Sequence, residues 1–402
     1  MKVLMLGWEL PPHHVGGMGV ACYQMARELS SSGVDIEFVL PFTAKFDIDF
    51  MKVTPAHHQS AEEIAISGGV YDSSWFSSSK VHSTISDSLD LRRQHDRYAH
   101  NVAKMVETRE FDVIHAHDWL TFKAGMMAKH VSGKPLIVHV HSTQYDQSAA
   151  GHGNPEAREI EYQAFSIADE IFAVSQYTKD VIVREYGIPA DKIHVVHNSM
   201  NIGVDIDETH NLHEYLNIMK QSGYKVVVNI GRMTIQKGLT HLLEAAQKVV
   251  AIDPKVLFLI AGGGEQQEEL IRLAAYYRIS QNVIFESWVS GKTLRDSYRI
   301  GNVFVMPSVS EPFGLTALEA IGFGAPVIVS KQSGVAEVLQ NCFKVDFWDT
   351  NQMADMILSL TTYDSLANTM WQNSYNEYKN QSWSKSADKM KNVYHQTHRV
   401  TA

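Results

Sequence analysis

Short apolar runs rich in β-branched residues alternate with helix-period stretches along most of the chain. In the first half the runs are Lys2–Leu6, Val34–Leu40, Asp112–His115, Leu136–Val140, Glu170–Val174 and Lys192–Val196. In the second half they are Lys225–Ile230, Val256–Ala261, Val283–Glu286, Val303–Met306 and Pro326–Val329. Continuous apolar strands separated by helices predict parallel sheets covered on both faces. The rhythm fails over Asn201–Gly223, so two doubly wound units are expected, with their break near 200–224. From about Gln352 to Val400 the pattern is helical without strands, which predicts a closing pair or trio of helices. Thr43–Leu91 does not fit. Nine of the 22 residues from Ser67 to Ser88 are serine, with Tyr71, Trp75 and Phe76 embedded in the same segment. Such an insertion reads as a mobile segment or a substrate-facing flap.

Composition narrows the class. With 402 residues, 45% hydrophobic and 20% charged, the chain suits two or three globular domains and is not a mainly disordered polymer. No apolar run approaches the roughly 20 residues of a membrane span. Met1–Leu6, followed by Gly-Trp-Glu, reads as a first strand and is too short for a signal peptide. Cys22 and Cys342 form no metal or redox spacing, so two free thiols in a cytoplasmic protein are expected. Residues 1–200 carry 17 basic and 25 acidic side chains, and residues 201–402 carry 18 and 20, within a total of −10. That balance disfavours nucleic acid as a partner, and it leaves the second half the better host for an anion.

Candidate chemistry clusters just after the apolar runs, where open α/β sheets bind ligands. After the first run, Gly16-Gly17-Met-Gly19 leads into an amphipathic helix and can bring a ligand to backbone N–H groups. It lacks the dinucleotide and P-loop spacings. His115-Ala-His117-Asp118-Trp119 and His139-Val-His141-Ser142 each put two imidazoles on one side of a strand. One reading of these pairs is a metal-dependent hydrolase; the other is a catalytic or sugar-binding use of His141 and Asp118. Gly231-Arg232 and Lys237-Gly238 offer a planar fork and a point charge suited to a diphosphate. Gly262-Gly263-Gly264 makes a second glycine loop at a strand end. In Glu311-Pro-Phe-Gly314-Leu315-Thr316, followed by Glu319, the N–H groups at a helix start can hold phosphate between two carboxylates. The carboxylates stand in different backbone contexts, so a close acid–base dyad is not expected. Asp47/Asp49 and Asp205/Asp207 form Asp-x-Asp pairs in irregular segments, and no metal role is assigned to them.

Glu311-Pro-Phe-Gly-Leu with Glu319, Gly-Arg-x4-Lys-Gly, the Gly-Gly-x-Gly loop and His-Ala-His-Asp-Trp occur in one order over nearly the whole chain. Together they resemble the retaining glycosyltransferases of family 4, which are glycogen-synthase-like. The resemblance implies the α/β fold called GT-B: two facing Rossmann-like, doubly wound domains with a deep interdomain cleft and C-terminal helices. Residues 1–200 would form the acceptor-side domain and 201–380 the nucleotide-sugar-binding domain, with a helix at about 381–402 packing back on the first. The implied reaction moves a hexosyl unit, glucosyl by the glycogen-synthase likeness, from a nucleotide-diphosphate sugar of UDP or ADP type. The acceptor would be a carbohydrate hydroxyl such as that of an α-glucan, with retention and with neither metal nor cofactor. His141 would lie next to the reacting sugar and Glu311 would contact it. Arg232 and Lys237 would neutralise the diphosphate, and Glu319 would hold the ribose. Gly16, Gly17, Gly19, Asp118, Asn198, Gly314, Leu315 and Thr316 would complete the donor site. A nucleotide-sugar epimerase of the same fold is the other transformation considered. Two positions depart from the family pattern. Val15 stands where ADP-glucose-using synthases carry Lys, and His197-Asn198-Ser199-Met200-Asn201 replaces a His-Asn-Gly-Val-Asp turn.

Overall fold

A computed structural model describes residues 1–13, 16–56, 81–148, 153–200 and 213–401. Val15, Tyr71, Trp75, Phe76, Asn201 and the Asp205/Asp207 pair lie outside the described residues, as does most of the serine-rich stretch. The chain divides into two compact units, Met1–Ser199 with Ser382–Ala402, and Met200–Gln381.

The first unit holds β1 (Lys2–Leu6), β2 (Asp35–Leu40), β3 (Lys52–Pro55), β4 (Val113–His117), β5 (Leu136–Val140), β6 (Glu170–Ala173) and β7 (Ile193–Val195). All pair in parallel, in the order β3-β2-β1-β4-β5-β6-β7. The helices are α1 (Gly17–Ser31), α2 (Val81–Val106), α3 (Trp119–Ser132), α4 (Gln144–Ser148), α5 (Pro155–Ile167) and α6 (Gln176–Tyr186). β4 and β5 are buried along their whole length, as covered central strands require. The only polar side chains within those two strands are His115, His117 and His139.

The second unit contains β8 (Lys225–Ile230), β9 (Val256–Ala261), β10 (Val283–Glu286), β11 (Val303–Met306), β12 (Val327–Ser330) and β13 (Phe343–Val345). They form a second parallel sheet in the order β10-β9-β8-β11-β12-β13. Its helices are α7 (Glu214–Gln221), α8 (Leu239–Ile252), α9 (Gln267–Tyr276), α10 (Gly291–Arg299), α11 (Leu315–Gly322), α12 (Val335–Val338), α13 (Thr350–Thr362) and α14 (Asp364–Asn380). Val227, Phe258, Ile260 and Val305 from the strands meet Leu242, Leu243, Met353 and Ile357 from α8 and α13 in one core.

The last helix, α15 (Trp383–Thr401), belongs to the first unit. Its Lys391 Nζ donates to Ser32 O at 2.7 Å, Ser386 Oγ donates to His197 O at 2.7 Å, and Trp383 is almost wholly buried. α13, α14 and α15 are the closing helices that the C-terminal pattern implies.

Four segments differ from the reading of the sequence, the first being the start of α2 at Val81, inside the supposed insertion. β3 lies inside the supposed insertion; it is a half-exposed edge strand whose Lys-Val-Thr-Pro has no apolar run to show. β13 is a three-residue edge strand, missed for the same reason. α7 occupies part of the aperiodic Asn201–Gly223 segment, and it buries a single residue, Leu216, so no stripe was visible. Among the described residues no helix is long and apolar enough to cross a membrane.

Candidate active site

Ligands of open α/β sheets sit at the carboxyl ends of strands where the strand order reverses. In the first unit that point lies between β1 and β4, and in the second between β8 and β11. Most of the sequence-selected residues fall on the loops at or next to these two points, whereas Asn198 follows the edge strand β7.

In the second unit β8 runs out into Gly231 and Arg232, followed by a 3-10 turn over Ile235–Lys237. The turn closes on Gly238 at φ 65, a left-handed conformation, and a Cβ there would lie 2.1 Å from Pro307 O. Only glycine lets this loop pack so closely on the segment after β11. Val309 N donates to Gln236 O at 2.9 Å and stitches the two loops together. As a result Lys237 Nζ reaches Glu311 Oε2 at 2.6 Å, and Ser308 Oγ donates to the same oxygen at 3.1 Å. Arg232 Nη2 donates to Gln236 Oε1 at 3.2 Å.

Three residues after Glu311, Gly314 takes φ 107 and starts α11. The N–H groups of Gly314, Leu315 and Thr316 stand at that start, where a helix offers no acceptor of its own. One turn further, Glu319 Oε2 accepts from Tyr298 OH on α10 at 2.5 Å. Burial pushes the Glu319 carboxyl up from its ordinary range, and the Tyr298 hydrogen bond partly opposes this. The Gly262-Gly263-Gly264 loop has a structural reason for its glycines. A Cβ on Gly262 would stand 1.9 Å from Gly231 O, so this loop supports the Arg232 loop from behind.

In the first unit Asp118 stands just before α3 with a positive φ of 56, and its side chain does not cap that helix. Its Oδ1 accepts the backbone N–H of His141 at 2.6 Å and of Ser142 at 3.4 Å, tying the end of β4 to the end of β5. His141 Nε2 faces His117 Nδ1 at 3.0 Å and Cys22 Sγ at 3.8 Å. Below them, His115 Nε2 is 3.2 Å from His139 Nδ1, and Tyr394 OH from α15 meets His115 Nδ1 at 2.7 Å. Burial drives the pKa of both His115 and His141 down to about 3, so both imidazoles are neutral near pH 7.

Gly16 and Gly19 do not present open amides. Both donate to Glu9 Oε2, at 3.1 Å and 3.3 Å, so a carboxylate of the chain fills that loop; Gly17 has open space beside it. Asn198, just beyond β7, is buried, and its Oδ1 has no partner among the described residues. Asp47 and Asp49 are exposed.

Sequence reasoning did not single out Glu9, Tyr298, Ser308 or Tyr394, and it took Cys22 only as a free thiol. Ser308 could have been found three residues before Glu311 on the same loop. Tyr298 and Tyr394 carry no local signal, since only the fold brings them to Glu319 and His115.

Two family models match the chain. Glycosyltransferase Family 4 matches residues 15–207, and Glycosyl transferases group 1 matches residues 217–377. An uncharacterised glycosyltransferase of Methanocaldococcus jannaschii is 28% identical over 360 residues, which take in 85% of this chain and 83% of that protein. The glycogen synthase of Mycobacterium tuberculosis is 24% identical over 350 residues, 85% of this chain and 80% of its own length. Sucrose-phosphate synthase from Thermosynechococcus elongatus matches over 100% of both chains with a TM-score of 0.75 at 18% identity. Anabaena HepE, solved with UDP and glucose, covers 98% of this chain and 100% of its own with a TM-score of 0.70 at 17% identity. At these identities the two solved structures speak for the fold.

Proposed function

The chain belongs to the GT-B glycosyltransferases of the family 4 type, and from that premise we propose that it transfers a hexosyl unit, glucosyl in the first instance, from a nucleotide-diphosphate sugar to a carbohydrate hydroxyl with retention of configuration. The observation that carries the reading is the Lys237–Glu311 pair at the β8/β11 reversal, beside the start of α11. Breaking the anomeric C–O bond leaves negative charge on the diphosphate. Lys237, Arg232 and the N–H groups of Gly314, Leu315 and Thr316 are the groups assigned to it. Fixed donors aimed at developing charge lower a barrier most, because they need not reorganise during the step.

Glu311 supports a mechanism without a covalent glycosyl-enzyme. Its Oε2 is already engaged by Lys237 and Ser308, which draws electron density from the carboxylate and makes it a weaker nucleophile. The acceptor oxygen then attacks from the face that the diphosphate leaves, and the acceptor proton passes to a leaving phosphate oxygen. His141, held neutral by burial, orients the sugar as a hydrogen-bonding group. Glu319, steadied by Tyr298, takes the ribose hydroxyls. No step in this scheme uses a metal.

Val15 in place of the lysine of ADP-glucose users, together with the UDP bound by HepE, favours a UDP-type donor over an ADP-type one. The likeness to a glycogen synthase favours an α-glucan acceptor. The test is a thermal-shift panel of UDP, ADP and GDP sugars. A donor at 100 times its Kd stabilises the fold by about 2.7 kcal/mol. Proton NMR of the product then reads the anomeric configuration, and an inverted product would sink the retaining assignment. Product formed from donor alone would favour the epimerase reading instead.

A further inference from the structure

Cys22, His117 and His141 come from α1, the end of β4 and the loop after β5, yet their ligand atoms all lie within 4.8 Å of one another. His141 Nε2 is central, 3.0 Å from His117 Nδ1 and 3.8 Å from Cys22 Sγ. In a tetrahedral zinc site, with bonds of about 2.0–2.1 Å to nitrogen and about 2.3 Å to sulfur, neighbouring ligand atoms stand roughly 3.4–3.5 Å apart. The two contacts bracket that edge length. We propose that Cys22 Sγ, His117 Nδ1 and His141 Nε2 bind one borderline-soft divalent cation of the zinc class, with the fourth position open.

His117 and Cys22 are almost wholly enclosed, and His117 Nδ1 and the Cys22 thiol both face His141 Nε2, so the three atoms that would ligate already converge. The local charge also suits a cation: the acidic neighbours of the thiol are Asp118 and Glu9. Binding releases one proton, from the Cys22 thiol. The proton shared between the two rings moves to the outer nitrogen of its own ring, so both imidazoles stay neutral. A sulfur ligand with imidazole selects zinc-class ions over magnesium or calcium.

Because His141 is also assigned to the sugar, an ion held there opposes transfer instead of assisting it. That consequence rests on the proposed function; the binding site does not. The test uses the full chain, stripped with a chelator and titrated with Co²⁺ alone. One equivalent should raise a near-ultraviolet thiolate-to-cobalt charge-transfer band, and Zn²⁺ should abolish it. Cys22→Ala should remove the band and weaken binding at least tenfold, whereas Cys342→Ala should keep both. Should Cys22→Ala fail to fold by circular dichroism, His117→Gln reads the same loss of affinity. No band in the wild-type chain, or a band that survives Cys22→Ala, would overturn the site. If the cobalt results hold but Zn²⁺ leaves sugar transfer untouched, the assignment of His141 to the sugar fails and the cation site stands.

Discussion

Lys237 Nζ and Glu311 Oε2 lie 2.6 Å apart although 74 residues separate them in the chain. The contact exists because β8 and β11 are neighbours, so the loops leaving their carboxyl ends meet. Both side chains are largely withdrawn from solvent, with 21% and 10% of their area exposed. A lysine held this way is a preformed cation at the mouth of the sheet, and its replacement should cost catalysis more than folding. Lys237→Ala is expected to lower kcat by about 10²–10³, the usual loss when one donor to developing charge is removed. Initial-rate kinetics check this, with circular dichroism confirming an intact fold. Turnover at the wild-type rate would remove Lys237 from the diphosphate site.

Glu319 gives a separate handle on nucleotide affinity. Tyr298 OH fixes its carboxylate at 2.5 Å from the neighbouring helix. Glu319→Ala should weaken nucleotide binding with a smaller change in kcat at saturation, since a ribose contact is present before and during the reaction. Tyr298→Phe should do the same more mildly, by about 0.5–1.5 kcal/mol, the net worth of one hydrogen bond. Calorimetric titration with UDP distinguishes the outcomes. Equal affinities for wild type and Glu319→Ala would contradict the ribose role.

Much of this arrangement was legible beforehand, and the limits have physical causes. Leu136–Val140, Lys225–Ile230, Val256–Ala261 and Val303–Met306 are strands with the very bounds their apolar runs suggest, because covered central strands must be apolar on both faces, and Val283–Glu286 is an edge strand whose apolar run still shows it. β3 and β13 were not visible, since edge strands carry no such constraint. Arg232, Lys237 and Glu311 could be picked out by loop position after these strands. Their pairing could not, because it depends on strand order and not on spacing. The Gly16–Gly19 loop shows the reverse case. Its glycines suggested a ligand, but a Cβ on Gly16 would stand 2.7 Å from Glu9 Oε2, so close approach of Glu9 already requires one of them.

His95 provides a pH test clear of the active-site cluster. It is buried on α2 between the edges of Trp8 and Trp119, with ring centroids 6.3 Å and 5.5 Å away. Burial, aided by nearby Lys123, takes its pKa from 6.5 down to about 4. Below pH 6.5 the unfolded chain binds a proton there that the folded chain does not. Stability from this group is therefore complete above 6.5 and is lost as pH falls toward 4. The loss is about 1.4 kcal/mol per pH unit, or roughly 2 kcal/mol by pH 5. His95→Gln carries no such titration. Urea unfolding at pH 7.5 and pH 5 should show the variant gaining about 2 kcal/mol relative to wild type, from the same linkage. A difference that stays constant across the range would mean that His95 titrates normally.

Asp118 should tie the stability of the first unit to the orientation of His141. Its Oδ1 accepts the backbone N–H of His141 at 2.6 Å while its backbone sits at φ 56 and ψ 169, a strained region that residues other than glycine seldom occupy. Asp118→Ala removes the acceptor and leaves the His141 amide unpaired. A loss of about 2–4 kcal/mol is expected, combining a charged hydrogen bond with the desolvation penalty of an unpaired amide. Asp118→Asn keeps an oxygen acceptor, so it should lose less than half as much. Sugar transfer should follow the same ranking, because His141 is aimed through its own backbone. Urea unfolding and transfer rates measured on both variants test the link. Full activity in a destabilised Asp118→Ala chain would show that the orientation of His141 does not depend on Asp118.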